Sequence, residues 1–531
     1  MRHHLEDLLE DHHGAWLVSL ALLAPVFLLY LAHIALQPAW IWPSGFLHYD
    51  HVALLAEARQ HFDGGFSWLR ALPFSDSPNS PRIYAEPLSL LLGALQAASG
   101  LGPGAVNAAA GAILAFLYGR LVGFTTPGRR LGLLLFVWGG GLFALAGAAA
   151  ALSGGGLEAL RAAEPGGGWS GLNLGRALLS PEQAFLHAVF LLTLLCLVQR
   201  RFALAVPLCL LAAASDAATG LQLLAVELVW SLLERGYLGY RGLRRWFLAV
   251  SGGLQLALCG NRFALLPLLS PEHPGGVESG ETLALFSLLA GYGLIGAFAL
   301  FRLRNRIHAA PLLGQAAGRL LLVWLLVSFA LANHEFLMAP REPLRFARGY
   351  LWMPLFLIAA PALAALLDRL WAARGRWRWP APAALLLLAA LFLSDNATFL
   401  ALEIRGLAAG APRPEQISRI ERQLLAALDD PRFEGHMLGT PRRSLGYMAT
   451  VYTPLRACYS HRRQTPAAAL RRQRLEAFAT RGILPAEWLW DDVVVALEAT
   501  PIEAGRLPWL RYGMTVEDAP GRYVFVISPG R

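Results

Sequence analysis

The sequence carries little charge for its length. Only 15% of its 531 residues are Asp, Glu, Lys or Arg, whereas 56% are hydrophobic. The hydrophobic residues form blocks long enough to cross a bilayer core of roughly 30 Å, which needs about 20 residues per helix. This composition excludes an ordinary water-soluble domain and predicts an α-helical polytopic membrane protein.

Cysteine is also scarce, with four residues in the whole chain. Cys196, Cys209 and Cys259 lie in apolar blocks, and Cys458 stands alone in the polar C-terminal region. This distribution excludes a disulfide framework and a thiolate metal site.

The N-terminal run lacks the marks of a secretory signal. No small-residue cleavage site follows the first apolar block, so we expect that block to remain as the first span, with residues 1–14 as a cytosolic segment. Four histidines occur in the segment: His3, His4, His12 and His13. They could bind a metal ion, but a solvated helix is the favoured interpretation because no matching ligand set is fixed opposite them.

The net charge of +9 reflects membrane topology. Basic residues collect in short loops between apolar blocks, as the orientation rule for membrane proteins predicts, so we expect no nucleic-acid partner. The loops placed in the cytoplasm are 129–130, 200–201, 235–245, 302–319 and 374–378. This assignment works if the short segment 86–98 does not span alone and if residues 202–214 and 216–233 cross as one broken unit.

The predicted organisation is a transmembrane domain at 15–400 followed by an extracytoplasmic α/β domain at 401–531. The first domain holds about ten to twelve spans and a first extracytoplasmic loop at 37–85. In the second, the pattern predicts strands at 436–440, 493–497 and 523–528 and helices at 415–428 and 466–480.

Asp50 is the first candidate for chemistry, because it opens a helical pattern just outside the first span. The stretch 46–65 runs in helical rhythm from this acid to a Gly64-Gly65 stop. An acid at a helix start can also serve as an N-cap that accepts backbone N–H groups. Spacing alone favours the cap.

The first-loop stretch YDHVALLAEARQHFDGG (49–65) resembles the signature of the GT-C superfamily, which includes oligosaccharyltransferases and protein mannosyltransferases. The match continues through 82–102, where such proteins often have an aromatic-x-Pro step before the second membrane element. Two further stretches, 177–195 and 340–355, resemble uncharacterised bacterial members. The segment CYSHRRQTPAAALRRQRLEAF (458–478) is similar to their G-H-x3-T-P-x4-R pattern, with Ser460 in place of the usual glycine.

This resemblance implies a glycosyltransferase of the bacterial inner membrane. Its donor would be a polyprenyl-phosphate-linked sugar, and its acceptor an extracytoplasmic glycan, lipid or protein. Asp50 would act as general base on the acceptor hydroxyl or as a ligand of a divalent metal ion. His48 and His51 flank Asp50 and could tune it or join a metal site, although interfacial histidines are more often solvated. The candidates for a second acid are Asp76, Glu86 and Glu335.

An arginine-rich loop is the second candidate site. Arg341, Arg345 and Arg348 follow one another at helical spacing beside a span. Guanidinium groups offer paired donors to phosphate oxygens, so these residues could bind the donor phosphate. They could equally pair with Glu335, Glu342 and lipid phosphates. Arginines on the translocated side oppose the usual charge bias, which favours a specific use.

Asp216, in AAASDAATG, lies between two half-length apolar segments at membrane depth. Such acids are often functional, but a cap for the following half-helix, beside Ser215 and Thr219, is the favoured interpretation. Hydrolase chemistry at Cys458, Ser460 or His461 is disfavoured because no Gly-x-Ser-x-Gly elbow is present.

The alternative function is a non-enzymatic membrane protein, either a transporter or flippase or an inactive superfamily member that has lost its second acid. A transporter usually shows inverted repeats and polar residues near the middle of the membrane. Beyond Asp216 we read the spans as nearly bare of such residues, which favours chemistry at the membrane face.

Overall fold

The computed structural model describes most of the chain, in two compact units. The residues described are 12–63, 65–74, 82, 86–125, 130–150, 174–234, 248–260, 285–336, 343–373, 380–410, 413, 415–434, 436–440, 442–460, 465, 467–481, 493–499, 514–518 and 522–527. Unit 1 comprises residues 1–28, 111–263 and 277–403, and unit 2 comprises residues 29–110, 264–276 and 404–531.

Helices account for most of the regular structure, and most lie wholly in one unit. Those before residue 240 are α1 His12–Ala35, α2 Tyr49–Arg59, α3 Pro87–Ser99, α4 Pro103–Thr125, α5 Arg130–Trp138, α6 Phe143–Ala150, α7 Leu174–Ala177, α8 Pro181–Val198, α9 Phe202–Ser215 and α10 Ala217–Leu233. Those from residue 253 to 408 are α11 Gly253–Gly260, α12 Leu285–Arg304, α13 Arg306–Gly314, α14 Ala316–Ala332, α15 Pro343–Ala347, α16 Trp352–Ala373 and α17 Pro380–Ala408. A π-helical turn, Leu248–Gly252, precedes α11.

Three helical stretches are long and apolar enough to cross a membrane by length and composition, among the residues that the structure describes. They are Pro181–Val198, Pro343–Ala373 and Pro380–Ala408. Shorter apolar helices of 10–17 residues accompany them, including α9, α10 and α14. The protein is therefore mainly helical and apolar, and the predicted ten to twelve crossings stay a prediction.

The break predicted within residues 202–233 is present. Helix α9 ends at Ser215 and α10 begins at Ala217, with Asp216 between them in extended conformation. Asp216 Oδ2 accepts hydrogen bonds from the backbone N–H and the hydroxyl of Thr219, both at 2.7 Å. The favoured interpretation of Asp216 as a helix cap is confirmed.

Unit 2 contains a five-stranded mixed sheet. Its elements after α17 are α18 Arg419–Leu428, β1 Met437–Gly439, α19 Arg443–Tyr452, β2 Arg456–Ala457, α20 Ala468–Arg481, β3 Val493–Ala499, β4 Met514–Asp518 and β5 Arg522–Ile527. The strand order is β2-β1-β3-β5-β4, with β1 parallel to β2 and β3 and the other pairs antiparallel. Helix α19 connects the parallel strands β1 and β2, because parallel neighbours cannot be joined by a tight hairpin.

The three predicted strands are present, but α18 begins four residues later than predicted. Ser418 Oγ accepts a hydrogen bond from the N–H of Glu421 at 3.1 Å, and the Glu421 carboxylate accepts one from the N–H of Ser418 at 2.7 Å. This reciprocal capping box fixes Ser418 outside the helix. The prediction of a start at Glu415 was therefore wrong.

The segment that precedes α2 is held in place by contacts within unit 2. The N–H of Gly45 donates to His33 Nε2 at 3.1 Å. Gly104, at the start of α4, lies so close to Ser44 that a Cβ there would fall 1.4 Å from the Ser44 carbonyl oxygen. Only glycine permits this approach, which places the first loop against α4.

Candidate active site

Helix α2 is a buried helix with one exposed side chain. Its residues from His51 to Ala58 are all buried, and Tyr49 and Arg59 are partly buried. Asp50 is the exception, with half of its side chain exposed. Asp50 is therefore the exposed carboxylate of an otherwise buried helix.

His48, and not Asp50, is the N-cap of α2. The His48 ring nitrogen Nδ1 accepts a hydrogen bond from the N–H of Asp50 at 3.3 Å. Asp50 therefore lies inside the first helical turn, where the helix dipole stabilises its negative charge. The interpretation of Asp50 as the cap was wrong, since a preceding side chain already fills that role.

The two predicted auxiliary histidines differ in setting. His48 Nδ1 lies 3.7 Å from Asp50 Oδ2, and His48 is partly exposed. His51 is fully buried, with its ring centroid 5.7 Å from that of His48. No group of three or more His, Cys, Asp or Glu side chains that could hold a metal ion occurs in the described part of the chain.

Tyr447 of α19 organises the first turn of α2. Its hydroxyl donates to the carbonyl oxygen of Tyr49 at 2.5 Å and accepts from the N–H of Ala53 at 3.0 Å. In an undisturbed α-helix these two backbone groups bond directly. Tyr447 is fully buried, and burial raises its pKa well above the ordinary value for tyrosine, so the hydroxyl keeps its proton. The backbone on both sides of Asp50 is held by this hydroxyl.

Arg443 and Ser460 hold the side chain of Tyr49. The Arg443 guanidinium donates through NH2 to the Tyr49 hydroxyl at 2.5 Å and through Nε to the Ser460 carbonyl at 3.0 Å. It also lies over the Tyr49 ring, with Cζ 4.9 Å from the centroid. The Tyr49 hydroxyl in turn donates to the Ser460 carbonyl at 3.3 Å. The residue next to Asp50 is therefore fixed by the C-terminal region.

The tail motif quoted from the sequence lies in this same cluster. Thr465 Oγ1 accepts from the N–H of Ser460 at 3.3 Å, and Arg471 donates to the Cys458 carbonyl at 3.2 Å. His461 and Pro466 lie outside the described residues. The motif thus supports the peptide segment that holds Tyr49.

The C-terminal end of α2 is fixed by Arg59. Its guanidinium donates to the carbonyls of Val451 and Thr453 at 2.9 and 2.6 Å and lies 3.5 Å from the Asp63 carboxylate. Burial raises the pKa of Asp63, although Arg59 opposes that shift. Both ends of α2 therefore depend on α19.

Glu86, a candidate second acid, lies in a buried ion-pair cluster. Arg70 NH2 is 2.9 Å from Glu57 Oε2 and 3.8 Å from Glu86 Oε2. All three side chains are more than nine-tenths buried. This arrangement is suited to holding residue 70 against α2 and α3. Asp76, another candidate, lies outside the described residues.

In unit 1, Arg345 pairs with Asp216. Arg345 NH1 lies 3.5 Å from Asp216 Oδ1, with 35% and 13% of the two side chains exposed. This partner, 129 residues away in sequence, was not predicted. Glu335 is partly buried, and its Oε2 atom has no hydrogen-bond partner among the residues described. Arg341 lies outside those residues.

The segment around Arg345 and Arg348 is held by α8 and α10. His187 Nε2 donates to the Arg348 carbonyl at 2.7 Å, and Gln222 donates to the Phe346 carbonyl at 3.1 Å. The hydroxyls of Thr219 and Tyr350 are 3.2 Å apart. The backbone that carries the two arginines is therefore tied to α10, whose cap is Asp216.

Helix α10 also carries a buried polar cluster that contradicts the prediction of nearly bare spans. Glu227 is 1% exposed and accepts hydrogen bonds from Cys209, Ser251 and Gln255. The Gln255 side chain lies 3.0 Å from Glu227 Oε2. The prediction was wrong because single polar residues inside apolar blocks barely change their mean hydropathy.

Sequence inspection missed Tyr447 and Arg443. Their partners in α2 are more than 390 residues away in sequence, so no local spacing points to them. The sequence feature that could have pointed to them is the tail motif around Ser460, which is part of the family resemblance.

Comparisons with known proteins give distant matches to solved structures. ArnT from Cupriavidus metallidurans bound to undecaprenyl phosphate has 14% identity and a TM-score of 0.46, covering 96% of this chain and 97% of that one. The oligosaccharyltransferase AglB from Archaeoglobus fulgidus, in complex with an inhibitory peptide and a dolichol-phosphate, has 12% identity and a TM-score of 0.48, covering 95% and 74%. An Archaeoglobus fulgidus oligosaccharyltransferase tethered to an acceptor peptide has 13% identity and a TM-score of 0.43, covering 96% and 74%.

No family model matches the chain, and no curated protein matches it. With TM-scores below 0.5, the matches by themselves assign no activity to the chain.

Proposed function

We propose that this protein is a membrane glycosyltransferase that transfers a sugar from a polyprenyl-phosphate donor to an extracytoplasmic glycan, lipid or protein acceptor. The observation that carries the proposal is the position of Asp50, an exposed carboxylate on the otherwise buried helix α2. A buried helix whose two ends are both fixed by α19 is a rigid support for a catalytic group.

In the proposed reaction, Asp50 acts as general base. Its carboxylate accepts the proton of the acceptor hydroxyl while the acceptor oxygen attacks the anomeric carbon. The bond between that carbon and the phosphate oxygen breaks, and its electron pair stays on the oxygen. Sugar is thus joined to the acceptor, and polyprenyl phosphate is the second product.

The leaving phosphate gains negative charge and requires cationic donors. We propose Arg345 and Arg348, with Arg341, for this role, because guanidinium groups bind phosphate oxygens through paired N–H donors. The Asp216 contact supports it by orienting Arg345. Asp76 and Glu335 are the candidates for a second acid that we favour, because Glu86 lies in the cluster with Arg70.

The proposed localisation is the bacterial inner membrane, with the N-terminus in the cytoplasm and residues 401–531 on the extracytoplasmic side. The distribution of basic loops along the sequence supports this orientation. Asp50 then works on the side where the acceptor is found.

Conversion of the donor tests the proposal. The full chain in nanodiscs would receive polyprenyl-phosphate sugars and an acceptor extract, and mass spectrometry would follow the lipids. We expect free polyprenyl phosphate to accumulate only when the acceptor extract is present. In sealed proteoliposomes, intact donor that becomes accessible to a reagent confined to the opposite side would instead identify a flippase, the alternative function that the buried Glu227 cluster also fits.

A further inference from the structure

Arg443 is a cation without a carboxylate partner in the described part of the chain. Its side-chain contacts there are the Tyr49 hydroxyl and ring and the Ser460 carbonyl, all of them neutral. The adjacent Arg442 differs, because its NH1 lies 3.2 Å from the Glu421 carboxylate. Partly buried cations are normally paired. Arg443 is therefore oriented but not neutralised.

The guanidinium keeps donors for a ligand. A guanidinium has five N–H groups in a planar fork. Arg443 uses one N–H group at Nε and one at Nη2. The Tyr49 ring lies against its guanidinium and fixes the plane of that group. The other three N–H groups make no hydrogen bond to the residues described, and the orientation of the guanidinium is already set, which reduces the ordering cost of binding an anion.

The start of α19 adds a second source of positive potential at Arg443. This helix of ten residues begins at Arg443, and its N-cap residue, Arg442, makes no side-chain capping bond. The first N–H groups of an uncapped helix have no partner within the helix, and the helix dipole concentrates positive charge there. Helix N-termini with free N–H groups bind phosphate.

Ser460 supplies an independent sign of a ligand. The residue is fully buried, and its hydroxyl has no hydrogen-bond partner among the residues described. Its carbonyl lies 3.0 Å from Arg443 Nε. The neighbouring Tyr459 carbonyl lies 3.1 Å from the position of a Cβ on Gly446, so this segment crosses the first turn of α19. A buried hydroxyl left unpaired costs free energy that a bound oxyanion would recover.

We infer that the first turn of α19 is a phosphate-binding site in which Arg443 binds the phosphate and Ser460 donates its hydroxyl. The ligand class is a phosphate monoester, because a tetrahedral dianion matches guanidinium, helix N–H and hydroxyl donors together. Tyr49, the residue before Asp50, contacts Arg443 and so links this site to the proposed general base. The inference rests on the proposed function where it assigns the phosphate to a substrate, either the polyprenyl carrier or a phosphorylated acceptor.

Direct binding measurements test the site. The full chain in phosphatidylcholine nanodiscs would be titrated with inorganic phosphate by calorimetry, and with decaprenyl phosphate included in the nanodisc in a second arm. Arg443→Gln removes the guanidinium, Ser460→Gly removes the hydroxyl, and Arg442→Gln is the matched control beside the site. Arg443→Lys keeps the charge and is the fallback if Arg443→Gln does not fold.

We expect Arg443→Gln to weaken phosphate binding at least tenfold, Ser460→Gly and Arg443→Lys threefold or more, and Arg442→Gln less than twofold. Competition by decaprenyl phosphate assigns the site to the lipid carrier, and binding of inorganic phosphate unaffected by it assigns the site to the acceptor. Equal binding by the native protein and Arg443→Gln, or equal weakening by Arg442→Gln, would overturn the inference.

The outcome is separable from that of the proposed function. An Asp50→Asn variant is expected to lose transfer and keep phosphate binding. Full transfer by Asp50→Asn alongside phosphate binding that depends on Arg443 would refute the general base and leave the phosphate site standing.

Discussion

The Tyr447 hydroxyl lies between the carbonyl of Tyr49 and the N–H of Ala53, at 2.5 and 3.0 Å. A side chain from α19 thereby takes part in the first hydrogen-bonded turn of α2, the turn that holds Asp50. Tyr447 adds a side-chain contact to the two backbone groups that begin the hydrogen-bond ladder of α2. The direction of the Asp50 side chain therefore depends on residue 447.

Tyr447→Phe tests this dependence. The variant removes a hydroxyl that bonds both a backbone N–H and a backbone carbonyl in a buried site, which we expect to cost about 1–3 kcal/mol of stability. Transfer activity is expected to fall with kcat reduced and the donor KM unchanged. Thermal unfolding and steady-state kinetics measure both. Tyr459→Phe, at a partly exposed tyrosine of the same unit, is the control, and equal effects in both variants would remove Tyr447 from its positioning role.

His61 makes stability depend on pH. Its Nδ1 lies 2.9 Å from the Ser67 carbonyl and its Nε2 lies 3.1 Å from Ser89 Oγ, and burial lowers its pKa below 6.5. The unfolded chain binds a proton near pH 6.5 and the native protein does so only at lower pH, so this contribution is present above pH 6.5 and is lost as pH falls towards the native pKa.

We therefore expect the unfolding temperature to fall between pH 7.5 and pH 5.5, and His61→Gln to show a flatter dependence. Thermal scans in one detergent at both pH values measure the difference. His436→Gln, which leaves the His61 contacts in place, is expected to retain the slope. An unchanged slope in His61→Gln would assign the dependence to other groups.

Substitutions in the ion-pair cluster of Arg70, Glu57 and Glu86 distinguish a structural role of Glu86 from a catalytic one. Arg70→Met leaves Glu57 and Glu86 buried without that cation, which we expect to cost about 3–5 kcal/mol of stability. Glu86→Gln keeps the size of the side chain and is expected to be milder and to retain transfer. Arg82→Met, which removes a single exposed contact to the Asp63 carbonyl, is the control. A stable Glu86→Gln protein without transfer would show that Glu86 is the second acid.

Two substitutions at Asp216 separate capping from ion pairing. Asparagine keeps the cap of α10 but removes the charge opposite Arg345, so Asp216→Asn is expected to cost less than about 1 kcal/mol. Alanine removes both, and Asp216→Ala is expected to cost about 1 kcal/mol more. Chemical denaturation compares the two. Donor KM is expected to rise in both variants because Arg345 loses its orienting contact, and an unchanged KM would exclude a role for that contact in donor binding.

Local sequence patterns predicted the features that depend on residues close to one another in the sequence. The strands at β1, β3 and β5 and the cap at Asp216 follow from side-chain pattern and from the bonding of one residue to its near neighbours. The start of α18 was misplaced because Ser418 and Glu421 outcompete the preceding residues as the cap. Each of these depends on residues within one helical turn.

The contacts that define the candidate site are long-range, and spacing could not supply them. The sequence left Arg345 to bind phosphate or to pair with Glu335 or Glu342, whereas its partner in the structure is Asp216. Spacing alone favoured Asp50 as the cap of α2, a position that His48 holds. The partners Tyr447 and Arg443 belong to another region of the sequence, so only the fold brings them to α2.

Asp50→Asn tests the proposed role of Asp50 as the general base of sugar transfer. The measurement is the rate of polyprenyl phosphate release by the full chain in nanodiscs, with Asp63→Asn as the control because Asp63 pairs with Arg59 outside the proposed chemistry. We expect Asp50→Asn to lower kcat at least a hundredfold with unchanged thermal stability, and Asp63→Asn to stay within a few-fold of the native rate. A native rate in a correctly folded Asp50→Asn protein would contradict the account.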